Sequence, residues 1–353
     1  MVKLRSISTL CVWNAVSLLF VSCASESGSL SYTLDSFQTG NLVEKSTIEC
    51  ETLGIMNPAA LRLLDSGGLV LLDRKAPKQL KIIGKDGTIS AELMSRGRGP
   101  GEAVTPWDLD PRGSYVWVSD ISARKLLRFS RSDEGFSYAD EIRLSDQFMR
   151  ALPFRDSLVL TVASSSSKNR MCLIGPSGAA VDTVGTFPYS ESIRNDCLNN
   201  SIFQSDIAVS PDCGKVVVAC KSFNVIDVYD ADFRNGKRLV GPRNIEVGVE
   251  LKNLPIGVVF SQNPFMRIFE GVSAGDKYFM VGYVGAYDAD EVNSEKAISA
   301  LLCFDYKGRP VRLYNLPVQV RSFDVDWKNN RVYCLTSQDS PEIITYELCN
   351  VLE

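Results

Sequence analysis

The sequence predicts an all-β fold: a six-bladed β-propeller of four-stranded blades, with the last blade closed by an N-terminal strand. Three observations carry this reading. A strongly apolar strand recurs at Val70, Val116, Val159, Val217, Met280 and Val332, at spacings between 43 and 63 residues. The first five copies run into a hairpin whose turn is built from Gly, Asp, Ser or Asn, the chemistry that joins adjacent strands. Gly (25) and Pro (15) are spread along the chain while helical periodicity is scarce, which favours strands over helices. Four strands per unit at a period of roughly 50 residues is the spacing of a propeller blade.

Taken in chain order, the first element is an address. Lys3 and Arg5 precede an apolar run from Ile7 to Val21, followed by Ser22-Cys23 and the polar Ser25-Glu26-Ser27-Gly28-Ser29. A basic start, a short apolar stretch and a small residue before the cut form a secretory signal. The run is shorter than the ~20 residues of a transmembrane helix, and no other segment is long enough to span. Cys23, with Ser22 before it, is similar to the lipidated cysteine of bacterial lipoproteins, with Phe20 standing where Leu is usual. Residues 1–22 are therefore expected to be a lipoprotein signal peptide, 23–40 the lipidated cysteine with a polar tether, and 41–353 the propeller. Acyl chains at about 0.8 kcal/mol per buried CH2 then anchor the protein to a membrane.

Blade hairpins follow at Leu80–Ile89, Leu126–Phe136, Met171–Ala180, Val228–Lys237 and Leu302–Val311. Each blade also has an upstream strand, such as Asp206-Ile207-Ala208-Val209-Ser210. The sixth blade, ending near Ile343-Ile344-Thr345-Tyr346, is one strand short, and Thr47–Leu53 is expected to supply the missing outer strand and hide the open edges. On that reading, deleting 40–53 costs far more stability than deleting 24–35. Asp288–Ser299 is expected to hold a single helical turn.

Composition narrows the chemistry. The chain contains no histidine, which removes the usual general base and the commonest metal ligand and with them every histidine-dependent triad or zinc helix. The net charge of −4 becomes −6 once Lys3 and Arg5 leave with the signal; nucleic acid, which calls for a basic face, is not an expected partner. Eight cysteines remain besides Cys11 and Cys23. Cys172, Cys220, Cys303 and Cys334 sit inside apolar runs, so mostly free core thiols are expected.

Two motifs carry a resemblance. Ser95-Arg96-Gly97-Arg98-Gly99-Pro100-Gly101-Glu102 leads into Pro106-Trp107-Asp108, and Ser210-Pro211-Asp212-Cys213-Gly214-Lys215 is similar to the S-P-D-G-K turn of TolB-type blades, with Cys213 inserted. With the Cys23 signal, the mature chain resembles the six-bladed propeller lipoproteins of Bacteroidetes, described as TolB-like and related to NHL-repeat propellers. The resemblance implies the fold and an envelope location and leaves the activity open, because function lives in sites grafted on folds.

Candidate sites fall on loops. Backbone N–H groups around Gly97, Gly99 and Gly101, with Arg96 and Arg98, are arranged as an anion cradle would be; the alternative is an inter-blade turn in which Glu102 pairs with an arginine. Trp107 follows directly. Two longer connections, Pro188–Gln204 and Leu254–Arg267, are expected to bring Tyr189, Arg194, Gln204, Phe265 and Arg267 to one end of the channel, a mixture suited to a polar ligand, a glycan or a protein partner. The alternative is ordinary loop packing. Asp230–Gly236 departs from a calcium loop, because its glycine is late, Arg234 takes a ligand position and no Glu closes it. Asp324 and Asp326 alternate on one strand and are expected to face the channel together, as a carboxylate-held divalent ion such as Ca2+ requires; no cofactor is otherwise expected. The chain thus reads as a membrane-anchored envelope propeller that binds a ligand or partner at its loop-rich face without catalysis. A metal-dependent hydrolase similar to lactonase propellers and a structural subunit of an envelope complex are the alternatives.

Overall fold

The computed structural model describes residues 29–145, 147–155, 158–163, 169–188, 202–243, 245, 248–254, 257–293 and 297–349. The signal segment 1–22, Cys23, Tyr189, Arg194 and Cys197 lie outside these residues. The chain opens with β1 (Leu30–Ser31) and β2 (Gln38–Glu49), then forms blade 1 from β3 (Pro58–Leu63), β4 (Leu69–Asp73), β5 (Lys78–Ile83) and β6 (Ile89–Ser95). Blade 2 is β7 (Pro106–Arg112), β8 (Tyr115–Asp120), β9 (Lys125–Ser132) and β10 (Gly135–Arg143). Blade 3 is β11 (Phe148–Phe154), β12 (Leu158–Ala163), β13 (Met171–Ile174) and β14 (Ala180–Val184). Blade 4 is β15 (Ser205–Val209), β16 (Lys215–Cys220), β17 (Val225–Asp230) and β18 (Gly236–Val240), followed by the hairpin β19 (Gly248–Leu254) and β20 (Gly257–Asn263). Blade 5 takes β21 (Arg267–Ala274), β22 (Tyr278–Ala286), β23 (Ile298–Asp305) and the first half of the long β24 (Pro310–Asp326). Blade 6 takes the second half of β24, then β25 (Arg331–Thr336) and β26 (Glu342–Cys349). The expected helical turn is present at Ala289–Asn293.

All six apolar anchors fall on the second strand of a blade, and the reason is burial on both faces. Leu69–Asp73 is buried at every position, whereas the outer strand Ile89–Ser95 alternates between partly buried and exposed residues up to Leu93, with Met94 buried near its end. A strand covered on both sides reads as a continuous apolar run, and an outer strand keeps the period of two. The innermost strands β3, β7, β11, β15, β21 and β24 touch one another in that order, and β24 returns to β3. Apolar clusters fill the junctions: Leu72 and Leu80 with Val116 and Leu127, Leu126 and Leu144 with Phe148 and Val159, Leu160 with Val216, and Leu239 with Phe279 and Leu302. Leu301 packs with Val332, and Leu335 and Ile343 pack with Leu61 and Leu71. The last of these joins blade 6 to blade 1.

Closure comes from the N-terminus, a few residues earlier than the sequence reading placed it. Asn41–Glu49 of β2 pairs antiparallel with β26 as the fourth strand of blade 6; Cys50 and Glu51–Leu53 form a turn instead. The polar tether expected over 23–40 is also corrected from residue 30 onward. β1 adds in parallel to β18 of blade 4, and Gln38–Gly40 pairs in parallel with Arg312–Tyr314 of blade 5. Between them Tyr32 and Phe37 are buried and meet Phe304 edge-on, with ring centroids 5.1 Å apart in each case. The segment therefore straps blades 4 and 5 before closing blade 6, and deleting 24–35 would remove the buried Tyr32 and strand β1 as well. Gly40 crosses Tyr314 so closely that a Cβ there would sit 2.2 Å from the ring.

This strap generates two expectations. Tyr32→Ala should cost about 3–5 kcal/mol, the usual loss for emptying a buried aromatic site. Gly40→Val should destabilise by about 1–3 kcal/mol or more, because the Tyr314 ring it would meet is fully buried. Urea unfolding of each variant checks both; wild-type midpoints would show that the strap is incidental to closure.

Candidate functional site

The first strand of each blade lines the central channel, so a charged residue on it faces charged residues of its neighbours. Arg62 of β3 donates from Nη2 to Oδ1 of Asp108 on β7 at 2.9 Å. Arg150 of β11 pairs with the other oxygen of Asp108 at 2.6 Å and with Asp206 of β15. Lys221, just after β16, pairs with Asp206 at 3.3 Å and with Glu270 of β21. Arg267 closes on Glu270 at 3.2 Å. On the blade 6 side, Ser322 Oγ accepts from Arg62 Nη1 at 3.3 Å and from the Leu61 N–H at 3.2 Å. The result is a belt of alternating charge across the channel.

Burial sets the energetics of the belt. Asp206 also accepts the Gly271 N–H at 2.7 Å. Burial alone would raise its pKa, but the Arg150 and Lys221 cations hold the carboxyl far below the usual range. Burial would likewise lower the Arg150 pKa, and Asp108, Asp206 and Glu270 more than reverse that. Such groups are tolerated out of water only because each is paired and hydrogen-bonded.

The belt divides the channel into two cavities that share Arg62 and Asp108. The wide mouth, about 550 Å3, lies toward the starts of the inner strands and carries the cations Arg62, Arg74, Arg150, Lys221, Arg267 and Arg321 against the carboxylates Asp108 and Glu270. The narrow mouth, about 310 Å3, carries Asp65, Asp108, Asp110 and Asp324 against Arg62 and Arg112. There, burial raises the Asp110 pKa against the opposing pull of Arg112.

Four sequence candidates meet in the wide mouth: Trp107, Gln204, Phe265 and Arg267. Phe265 is 44% exposed. Arg96 and Arg98 are exposed and line neither mouth. The expected anion cradle is corrected by Glu102, which fills it: its carboxylate accepts the Gly99 N–H at 2.9 Å, and a Cβ at Gly97 would lie 2.0 Å from it. Lys125, fully buried, ties the same loop through the Gly99 carbonyl at 3.0 Å and pairs with Glu141.

The pairing expected of Asp324 and Asp326 is also corrected. Asp324 lines the narrow mouth, accepting from the Leu63 N–H at 2.9 Å and the Ser273 hydroxyl at 2.8 Å. Asp326 instead closes its own hairpin, accepting the Asn329 N–H and side-chain amide. A strand-end carboxylate beside a turn is captured by the turn's unpaired N–H groups. Among the described residues no group of three or more Asp, Glu or Cys side chains gathers as a metal site would require. Among the described residues Cys50, Cys213, Cys220, Cys303, Cys334 and Cys349 are free thiols, and burial pushes Cys50 up to about 12. Cys213 takes the left-handed turn position (φ 56°) in the Ser210–Lys215 turn, where Asp212 accepts the Gly214 N–H at 2.8 Å.

The belt was missed by sequence reasoning, although a signal existed: a charge recurs on the first strands, at Arg62, Asp108, Arg150, Asp206 and Glu270. Asp73 and Asp120, each ending a second strand, form another missed signal. Asp73 accepts the N–H groups of Met56 and Asn57, and Asp120 those of Val104 and Thr105. Each fixes the segment entering its own blade.

Comparison with known proteins agrees with this architecture. The family model described as TolB-like 6-blade propeller-like matches residues 86–328, and the chain belongs to that family. A protein of Bacteroides fragilis described as exported is 14% identical, with 92% of this chain and 99% of that one covered and a TM-score of 0.56. A member of the DUF4221 family from Bacteroides vulgatus is 9% identical, with 88% and 98% covered and a TM-score of 0.58. At these identities the likeness concerns the fold. No curated protein matches the sequence.

Asp206→Asn should cost about 3–5 kcal/mol at neutral pH, since it removes one of the two carboxylates that balance the buried Arg150 and leaves that arginine to Asp108 alone. A carboxyl whose folded pKa is depressed contributes stability above its unfolded value of about 3.9 and loses it as pH falls toward the folded value. The gap between wild type and variant should therefore narrow below about pH 4. Urea unfolding at pH 7 and pH 3 checks this; a gap constant with pH would contradict it.

Proposed function

We propose that this member of the TolB-like propeller family is an exported, lipid-anchored protein of the cell envelope that binds a polar ligand or partner at its wide mouth without catalysis. Its signal segment with Cys23 supports export and anchoring, and the Bacteroides fragilis neighbour, itself described as exported, fits that location. On this reading residues 1–22 are removed, Cys23 is acylated, and the propeller begins at residue 30, so the tether between lipid and fold is short.

The observation that carries the binding reading is the wide mouth. Loops and strand starts from all the blades converge on one concave site that mixes the aromatic residues Trp107 and Phe265, the amide Gln204 and an excess of cations. Concave sites with a few convergent polar groups on a rigid scaffold are the usual form of ligand pockets. Binding rather than catalysis is favoured by the engagement of the belt carboxylates: Asp108, Asp206 and Glu270 each pair with two cations. None is left to act as a base, and the chain has no histidine to replace them.

Two measurements test this. Cys23→Ala should abolish incorporation of radiolabelled palmitate and move the protein out of the membrane fraction; retained labelling would sink the anchoring assignment. A thermal-shift panel of neutral oligosaccharides, acidic oligosaccharides, nucleotides and short peptides should yield a binder. Its affinity should fall at least about tenfold, about 1.4 kcal/mol, in the Gln204→Ala/Arg267→Ala protein and stay unchanged in Arg96→Ala/Arg98→Ala. The opposite pattern would place binding elsewhere.

A further inference from the structure

The belt does not account for every cation in the wide mouth. Arg62, Arg150, Lys221 and Arg267 each face a carboxylate. Arg74 and Arg321 do not. Arg74, in the turn after β4, donates to the carbonyls of Pro106 at 3.0 Å and Trp107 at 3.2 Å, and its guanidinium lies 4.6 Å from the Trp107 ring centroid. Arg321 donates from Nη1 to the Pro58 carbonyl at 2.8 Å. Backbone carbonyls hold both guanidiniums in place without cancelling their charge. Neither has a carboxylate partner among the described residues.

Holding the Arg74 charge there is unfavourable. Burial lowers the Arg74 pKa, the Arg150 guanidinium lowers it further, Asp108 opposes and Arg321 adds to the lowering. Arg150, about nine-tenths buried, lines the same cavity and leaves its Nε without a partner. The Glu102 loop shows what the chain does when it satisfies an anion seat internally; at Arg74 and Arg321 the described residues supply no such carboxylate.

We propose that Arg74 and Arg321 form an oxyanion clamp at the wide mouth, and that its ligand is an acidic saccharide whose carboxylate or sulfate seats between the two guanidiniums. The ligand class follows from the rest of the cavity. Arginine forks bind planar carboxylates and sulfates with two parallel hydrogen bonds. Phe265 gives an exposed apolar face at the rim, and the Gln204 amide and the paired Arg267–Glu270 side chains give donors and acceptors for hydroxyls. A sugar acid carries all three complements: an anion, an apolar ring face and hydroxyls. The clamp rests on the wide mouth being the binding site and specifies what that mouth selects.

Calorimetry on the purified full-length chain tests it with three probes: oligogalacturonate, its methyl ester and a poly-glutamate peptide of matching charge. Sulfated and carboxylated oligosaccharides run side by side identify which oxyanion is preferred. Oligogalacturonate or its sulfated counterpart should bind, and esterification should weaken oligogalacturonate binding at least about tenfold. Arg74→Gln and Arg321→Gln should each weaken it to a similar degree, and Arg74→Lys should recover part of the loss by restoring charge without the fork. Thermal unfolding is measured alongside; if a Gln variant unfolds, Arg74→Lys and Arg321→Lys carry the comparison. Equal binding of the ester, unchanged affinity in both Gln variants, tighter binding of poly-glutamate, or no acidic-saccharide binding at all would each overturn the clamp. Loss of binding in Gln204→Ala/Arg267→Ala with none in the Arg74 and Arg321 variants would leave the mouth as the site and remove the clamp alone.

Discussion

A ring of sheets is only as strong as its last joint, and here the joint is the pairing of β2 with β26. Blades 1 to 5 are each built from consecutive strands, so local hairpins suffice to form them. Blade 6 borrows its outer strand from more than 290 residues away in sequence, with Asn41 opposite Cys349 and Glu49 opposite Glu342. Long-range pairing carries a loop-closure cost, and the strap offsets it with Tyr32 and Phe37 buried against Phe304. Once β2 is seated, the six inner strands are held at fixed distance from the axis, and everything in the channel depends on that spacing.

The ion belt is the clearest dependant. A buried pair between separate elements repays its desolvation only when the geometry is good, and four of the six belt pairs connect side chains of different blades. Arg150 reaches Asp108 in one direction and Asp206 in the other. A blade displaced by an ångström or two would break contacts on both sides at once. The belt adds directional register to junctions that the apolar clusters fill without direction. Deeper between blades 3 and 4, the fully buried Arg170 pairs with Asp227 while also donating to Ser205 at 2.8 Å, a second link of the same kind.

What the sequence disclosed follows from this division. Blade cores were legible because a strand covered on both faces must be apolar throughout, as at Leu69–Asp73 and Lys215–Cys220. Closure was legible in kind, since a blade lacking a strand needs one from the other terminus. Its register was not, because Gln38–Glu49 is exposed along most of its length and shows little apolar pattern. Loop residues such as Gln204 and Phe265 could be assigned to one mouth from blade order alone. Arg74 and Arg321 could not. Arg74 sits in a short turn resembling any exposed hairpin, and Arg321 lies inside a strand shared by two blades; only the closed ring brings them to one cavity.

The charge layout of the channel also explains how a net-negative chain can receive an anion. The body repels anions at long range, but in physiological salt that repulsion fades beyond about 8 Å. Inside the wide mouth the nearest fixed charges are the arginines, and low-dielectric walls keep their field from being screened as it would be at an open surface. Below the belt the sign reverses, with Asp65, Asp110 and Asp324 around the narrow mouth. An anion entering from the cationic side meets attraction down to Asp108 and repulsion beyond it. The belt therefore marks the floor of the cationic mouth, and the two arginines with no carboxylate partner among the described residues, Arg74 and Arg321, lie on that side of it.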